Sequence, residues 1–148
     1  MRGRDLKLAK SRLKNRALTL VIVKEGKIVF ESNSQGVVSF LRAIEKLDKT
    51  LITSAVADKI VGAAAATLCA YSKVSSVFAE TMSKEGIKVL EDNNIAYQFE
   101  NVVPNILNRD KTSICPFEKL VIGSQGPKEA WAKLKAFAES GARVKKID

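Results

Sequence analysis

The chain contains no histidine, and only two of its 148 residues are cysteines, Cys69 and Cys115. Without an imidazole there is no Ser-His-Asp or Cys-His machinery, no imidazole metal ligand and no histidine general base. Two thiols 46 positions apart supply neither the number nor the close spacing that a zinc or iron–sulfur site requires, so no metal and no cofactor are expected. Long apolar runs are lacking too. The longest stretch without a charge, between Lys59 and Lys73, has 13 residues. That is short of the roughly 20 needed to cross a bilayer, and no apolar signal-peptide core follows the basic N-terminus. The expectation is a cytoplasmic protein with no membrane partner. What is present, 46% apolar and 28% charged residues, is the balance of an ordinary globular chain, and the length suits one domain.

The formal net charge of +9 is unevenly placed. Residues 1–16 hold seven Lys/Arg against one acid, residues 128–148 hold six against three, and the rest of the chain is neutral. Arg2, Arg4, Lys7, Lys10, Arg12, Lys14 and Arg16 read either as a contact for nucleic acid or another polyanion, or as a solvated helix face. The second reading is favoured here, because the segment has no aromatic residue to stack on bases.

Leu6, Ala9 and Leu13 recur at helical spacing from Asp5, a candidate N-cap, to about Asn15. The runs 17–23 (ALTLVIV) and 27–31 (KIVFE) read as a hairpin turned at Gly26. Val37, Phe40, Leu41, Ile44 and Leu47 mark a second amphipathic helix. From Ser54 to Ala70 there is no wide polar face, which predicts one buried, alanine-rich helix, with Cys69 a small buried hydrophobe near its end. A strand over 74–81, a helix over 83–92 capped by Ser83 and a strand over 95–103 follow. A helix opens at Pro116, and a last helix runs from Pro127, with Trp131, Leu134 and Phe137 in the core, to a stop at Gly141. The pattern predicts a three-layer α/β/α domain with a mixed sheet. A basic N-terminal helix (1–16) is packed on a single domain (5–140), and a basic tail (141–148) follows.

This order resembles the cytidine-deaminase-like fold. In the zinc deaminases the buried helix begins with His/Cys-Ala-Glu and the next with Pro-Cys-x-x-Cys. The matching stretches here are Val56-Ala57-Asp58-Lys59 and Thr81-Met82-Ser83-Lys84-Glu85-Gly86. The resemblance therefore implies that the zinc ligands are missing and that hydrolytic deamination through a zinc hydroxide is excluded. The chain also resembles a small prokaryotic family of unknown function that adopts this fold without the zinc ligands. The residues that carry this likeness are Asp5-Leu6-Lys7-Leu8-Ala9, Val56 to Gly62, Asn108-Arg109-Asp110 and Cys115-Pro116-x-Glu118-Lys119-Leu120.

The candidate site residues follow from these segments. Asp58 and Lys59 are expected near the start of the buried helix, where free N–H groups favour an anion. Lys59 is read there as a phosphate or carboxylate contact and Asp58 as an acceptor or general base; a helix cap and a lysine reaching into solvent are the alternative. Cys115, Pro116 and Glu118 repeat a capping-box pattern with sulfur in place of a hydroxyl. Cys115 is thus either a structural cap or, among Arg109, Lys111 and Lys119, a nucleophile or sulfur acceptor. Asn108, Arg109 and Asp110 form a polar loop suited to closing on a ligand, or an ordinary turn. Together Asp58, Lys59, Asn108, Arg109, Asp110 and Glu118 suggest binding of a small anionic or nucleotide-like molecule. Association with further copies of the chain stays open.

Overall fold

A two-residue turn starts the sheet. Glu25 and Gly26 both lie in the left-handed region, with φ of 51° and 78°, the turn geometry whose twist suits a hairpin. They join β1 (Leu20–Lys24) to β2 (Lys27–Ser32) in antiparallel register. Ahead of the hairpin lies α1 (Arg2–Asn15). After it come α2 (Gly36–Leu47), β3 (Ala55–Val61), α3 (Ala63–Ser72), β4 (Ser76–Ser83), α4 (Lys84–Asp92), β5 (Ala96–Val103), α5 (Pro116–Ile122) and α6 (Pro127–Ile147). The computed structural model describes residues 2–34, 36–107 and 111–147.

The five strands are ordered β2-β1-β3-β4-β5. β1 is antiparallel to both neighbours, while β3, β4 and β5 are parallel, so β2 runs in the same direction as β3. The crossovers through α2, α3 and α4 therefore all step across the sheet the same way. Right-handed connections place the three helices on one face, with their N-termini at the carboxyl ends of the parallel strands, and α3 packs against both α2 and α4. On this face Phe40, Ile44 and Leu68 meet Leu20, Ile22, Val56 and Val77. The opposite face is covered by α1, whose Leu6, Ala9 and Leu13 sit on Val21, Val23, Ala55, Ala57 and Phe78. The architecture is three-layer α/β/α with a mixed sheet, holding one strand more than the sequence pattern shows.

The extra strand is the main correction. The segment read as one helix over 54–70 is β3 followed by α3, with Gly62 between them. β3 lies between β1 and β4 and is covered on both faces, so its apolar residues do not alternate with polar ones. Joined to an alanine-rich helix, such a strand is indistinguishable by periodicity from a longer buried helix. Three smaller differences follow from local chemistry. Asp5 does not cap α1, which starts at Arg2; its carboxylate instead accepts the Gly26 N–H at 3.1 Å and ties the helix to the hairpin turn. α6 continues through Gly141 to Ile147, since a glycine inside a helix costs only about 1 kcal/mol. Phe137 is 39% exposed, set edge-on to Phe117 at 5.2 Å, whereas Leu134 is buried and Trp131 stacks on Tyr71 at 4.8 Å. Ser83 caps α4, its Oγ accepting the Gly86 N–H at 2.9 Å.

Leu13 is 1% exposed and Leu8, one helical turn away on the outer side, is 36% exposed. Leu13→Ala is expected to cost about 2–5 kcal/mol, and Leu8→Ala less than about 0.5 kcal/mol. Urea midpoints of the two variants, at unchanged slope, check this.

Candidate functional site

The carboxyl end of β3 opens into a cavity of about 640 Å³. One side is the first turn of α2 (Gly36, Val37, Val38), and the other is made by Ile106, Leu107 and the start of α5. Asp58, Lys59, Cys115 and Glu118 all line it, so four residues singled out from separate sequence segments meet in one place. Asn108, Arg109 and Asp110 lie outside the described residues.

Asp58 is 1% exposed. Its Oδ1 accepts the Ile60 N–H at 3.3 Å, beyond the usual length for such a bond. Burial raises its pKa from the ordinary 3.8 to about 7, against the lowering effect of the Ile60 and Lys59 N–H groups. A Cβ on Gly36 would lie 3.7 Å from the same oxygen, so α2 begins directly beside the carboxyl. The Cys69 thiol is pushed well up by burial and then by the Asp58 charge, which keeps that cysteine an inert core residue. Lys59 is exposed, and its backbone N–H donates to the Thr19 carbonyl at 3.0 Å, pinning the end of β3 to the start of β1.

Glu118 does not close a capping box with Cys115. Its Oε1 accepts the Ala63 N–H at 2.7 Å and its Oε2 the Ala64 N–H at 2.6 Å, so a carboxylate from α5 caps α3. The reason is competition for an acceptor. The N-cap of α3 is Gly62, which has no side chain to offer, and buried helix-start donors left unpaired are costly. The Cys115 N–H is already satisfied by the Ile106 carbonyl at 2.9 Å. Cys115 stands at the N-cap of α5 with Pro116 after it, and its side chain makes no cap hydrogen bond. Glu118 is 6% exposed. Burial raises its pKa and Glu85 raises it further, while the two N–H bonds lower it. The close fit dictates Gly62: a Cβ there would fall 2.1 Å from Oε1 of Glu118 and 2.5 Å from Ile106.

Two expectations are thereby corrected. Asp58 and Lys59 sit on a strand and not at a helix start, because the segment around them forms β3. The buried helix begins at Gly62-Ala63-Ala64 and not at Val56-Ala57-Asp58. Sequence reasoning also missed Thr19, Ile106 and the first turn of α2 as cavity walls. Only recognition of β3, and hence of the β2-α2-β3 crossover, places the start of α2 beside Asp58. A smaller cavity of about 390 Å³ between α2 and α6, with Tyr71 and Trp131 in its lining, holds none of the candidate residues.

The family model described as "TM1506: Domain of unknown function (DUF1893)" matches residues 8–138. The crystal structure of a DUF1893 family protein, TM1506 of Thermotoga maritima, is similar at 28% identity and a TM-score of 0.82, over 90% of this chain and 89% of that one. RibD of Acinetobacter baumannii is similar at 15% identity and a TM-score of 0.47, over 67% of this chain and 33% of that one. The dCMP deaminase of cyanophage S-TIM5 has 15% identity and a TM-score of 0.46, over 69% of this chain and 96% of that one. These last two likenesses concern the arrangement of strands and helices and carry no chemistry. No curated protein matches the chain.

Two outcomes follow from the geometry. The folded state holds the Asp58 proton up to about pH 7 while the unfolded chain releases it near 4, so wild-type stability falls as pH rises between these values. Asp58→Asn lacks this component. Its stability relative to wild type should rise from pH 4 to pH 8 by up to about 4 kcal/mol, as read by urea unfolding across the range. Gly62→Ala and Glu118→Ala should each cost about 2–3 kcal/mol. They remove the same contact, so the double variant should fall well short of the sum in a mutant cycle.

Proposed function

The chain belongs to the DUF1893 family, and from that premise we propose that it binds a small anionic or nucleotide-like ligand in the cavity at the carboxyl end of β3. The observation that carries this reading is Asp58, a fully buried carboxyl facing a cavity of about 640 Å³ with Lys59 on its wall. The volume falls within the roughly 300–1,000 Å³ of small-molecule sites, and Val37, Ile60, Ile106 and Phe117 give it the mostly apolar lining such sites have. One long backbone bond leaves Asp58 with hydrogen-bonding capacity to spare. Near neutral pH it is present both protonated and ionised, and so both donates to and accepts from a ligand. Lys59, the next residue of β3, leaves the strand on its other face, and at the open end of the sheet its long side chain brings positive charge round to the cavity rim for a phosphate or carboxylate, to which the α2 dipole adds. The starts of α3 and α4, at Gly62-Ala63-Ala64 and Ser83-Lys84-Glu85, offer neither imidazole nor thiolate, which supports a reading other than zinc-hydroxide deamination.

Cys115 supports a second reading. It shares the cavity wall, and its sulfur is not spent on capping α5, as a nucleophile or sulfur acceptor requires. Alkylation at pH 7 at the rate of free cysteine would remove that reading.

Native mass spectrometry of freshly purified protein, followed by thermal shifts with nucleoside monophosphates and small carboxylates, tests the proposal. The expected result is a rise in melting temperature with one class of these compounds, with affinity reduced at least tenfold by Lys59→Ala and by Asp58→Asn. A shift that persists unchanged in both variants places the ligand elsewhere.

A further inference from the structure

A second surface, on the opposite side of the sheet from the cavity, has its own physical logic. α1 is a 14-residue helix, about 21 Å long. Leu6, Ala9 and Leu13 hold it against the sheet. Three polar contacts clamp its flanks: Asp5 to the Gly26 N–H, Arg12 to both carboxylate oxygens of Glu31 at 2.9 and 3.2 Å, and Lys14 to Glu100. The segment is thus a rigid ridge and not a loose arm. The clamps also use up the helix's only acid. Among the described residues no carboxylate forms an ion pair with Arg4, Lys7 or Lys10. Arg4 and Lys7 are exposed, and Lys10 lies with its ammonium 4.9 Å from the centre of the Phe78 ring.

We infer that this ridge binds the phosphate backbone of nucleic acid, without reading sequence, through Arg4, Lys7 and Lys10, with the exposed Arg16 just beyond the end of the helix. The argument against the other common polyanion, an anionic membrane, is the orientation of the helix. A helix that lies on a bilayer inserts its apolar face, and the apolar face of α1 is already committed to the sheet, leaving Leu8 as the one large apolar side chain outside. What remains outward is charge, Arg4 and Lys7 exposed and the half-buried Lys10 on the flank beside Phe78. Duplex nucleic acid presents a negative charge about every 1.7 Å of its axis, so phosphates are dense enough for each cation of the ridge to meet one, and about four cations release the counterions of about four phosphates. The absence of an aromatic residue on α1 fits backbone contact without base stacking.

Fluorescence anisotropy of the full chain with a mixed-sequence duplex of 20 base pairs tests this. Neutralising about four phosphates predicts an affinity that falls on the order of 100-fold between 50 and 200 mM salt. The triple variant Arg4→Gln/Lys7→Gln/Lys10→Gln should lose most of the binding at 50 mM salt and flatten the salt slope by about three, with a small fall in melting temperature from the lost Lys10–Phe78 contact. Lys7→Gln alone, at an exposed position, should flatten it by about one and serves if the triple variant is destabilised. Absence of binding at 50 mM salt, binding indifferent to these variants, or tighter binding to phosphatidylserine vesicles or polyglutamate than to the duplex would each overturn the inference.

Discussion

The Glu118 carboxylate on the N-terminus of α3 is the contact on which the cavity end of the molecule depends. Neither partner is tolerable there alone. A helix that starts in the interior with glycine at its cap leaves peptide donors unpaired, and a carboxylate that is 6% exposed needs donors to stay there. Each oxygen taking one N–H, at 2.7 and 2.6 Å, satisfies both requirements with short, charge-assisted bonds. The bond reaches across 55 positions of chain and so fixes α5, with Cys115 and Phe117, against α3. It also explains why Gly62 has no side chain, since the Glu118 oxygen fills the space where one would begin. One cavity wall is therefore held by a specific polar contact in addition to apolar packing.

Asp58 is the opposite case. Glu118 is buried with two donors, whereas Asp58 is buried more completely with one long bond, and its raised pKa measures the imbalance. Burying this aspartate costs the fold stability as pH rises toward neutrality. Its neighbours are what a binding function would use: an open cavity, a lysine on the rim and the start of a helix. This placement is a consequence of topology. Strands β2, β3, β4 and β5 all point one way, so helices α2 and α3 both begin at the end of β3 where the chain leaves the sheet. The cavity lies between these two helix starts and the start of α5.

α1 serves two surfaces with one helix. Its apolar side closes the second core under β1, β3 and β4, and its salt bridges reach β2 and β5 at the two sheet edges. Because these contacts set its rotation about its own axis, the direction of its remaining cations is fixed by the core. The cavity and this basic ridge lie on opposite faces of the sheet and share no residue.

Much of the architecture was legible from residues alone. Leu6, Ala9 and Leu13 mark α1, Gly26 the hairpin turn and Ser83 the α4 cap, and the three layers follow from the hairpin and the later alternation of strands and helices. Each of these is a local pattern, set by the 3.6 or 2-residue period, or by one side chain bonding to a backbone a few positions away. The site residues Asp58, Lys59, Cys115 and Glu118 were recognisable as candidates because charged or reactive groups beside apolar runs stand out. Their roles were not. A strand covered on both faces has no alternation to show, so β3 looked like the beginning of α3. The partner of Glu118 could not be read either, because a carboxylate three positions into a helix has its own cap within reach, and only the packed chain brings the α3 donors closer. The sequence by itself determined the layers, the caps and the position of the charges, since these depend on neighbours along the chain. Which carboxylate is satisfied, which is left facing a cavity, and which face of α1 meets solvent were decided by tertiary structure, because each depends on groups many positions apart competing for the same buried space.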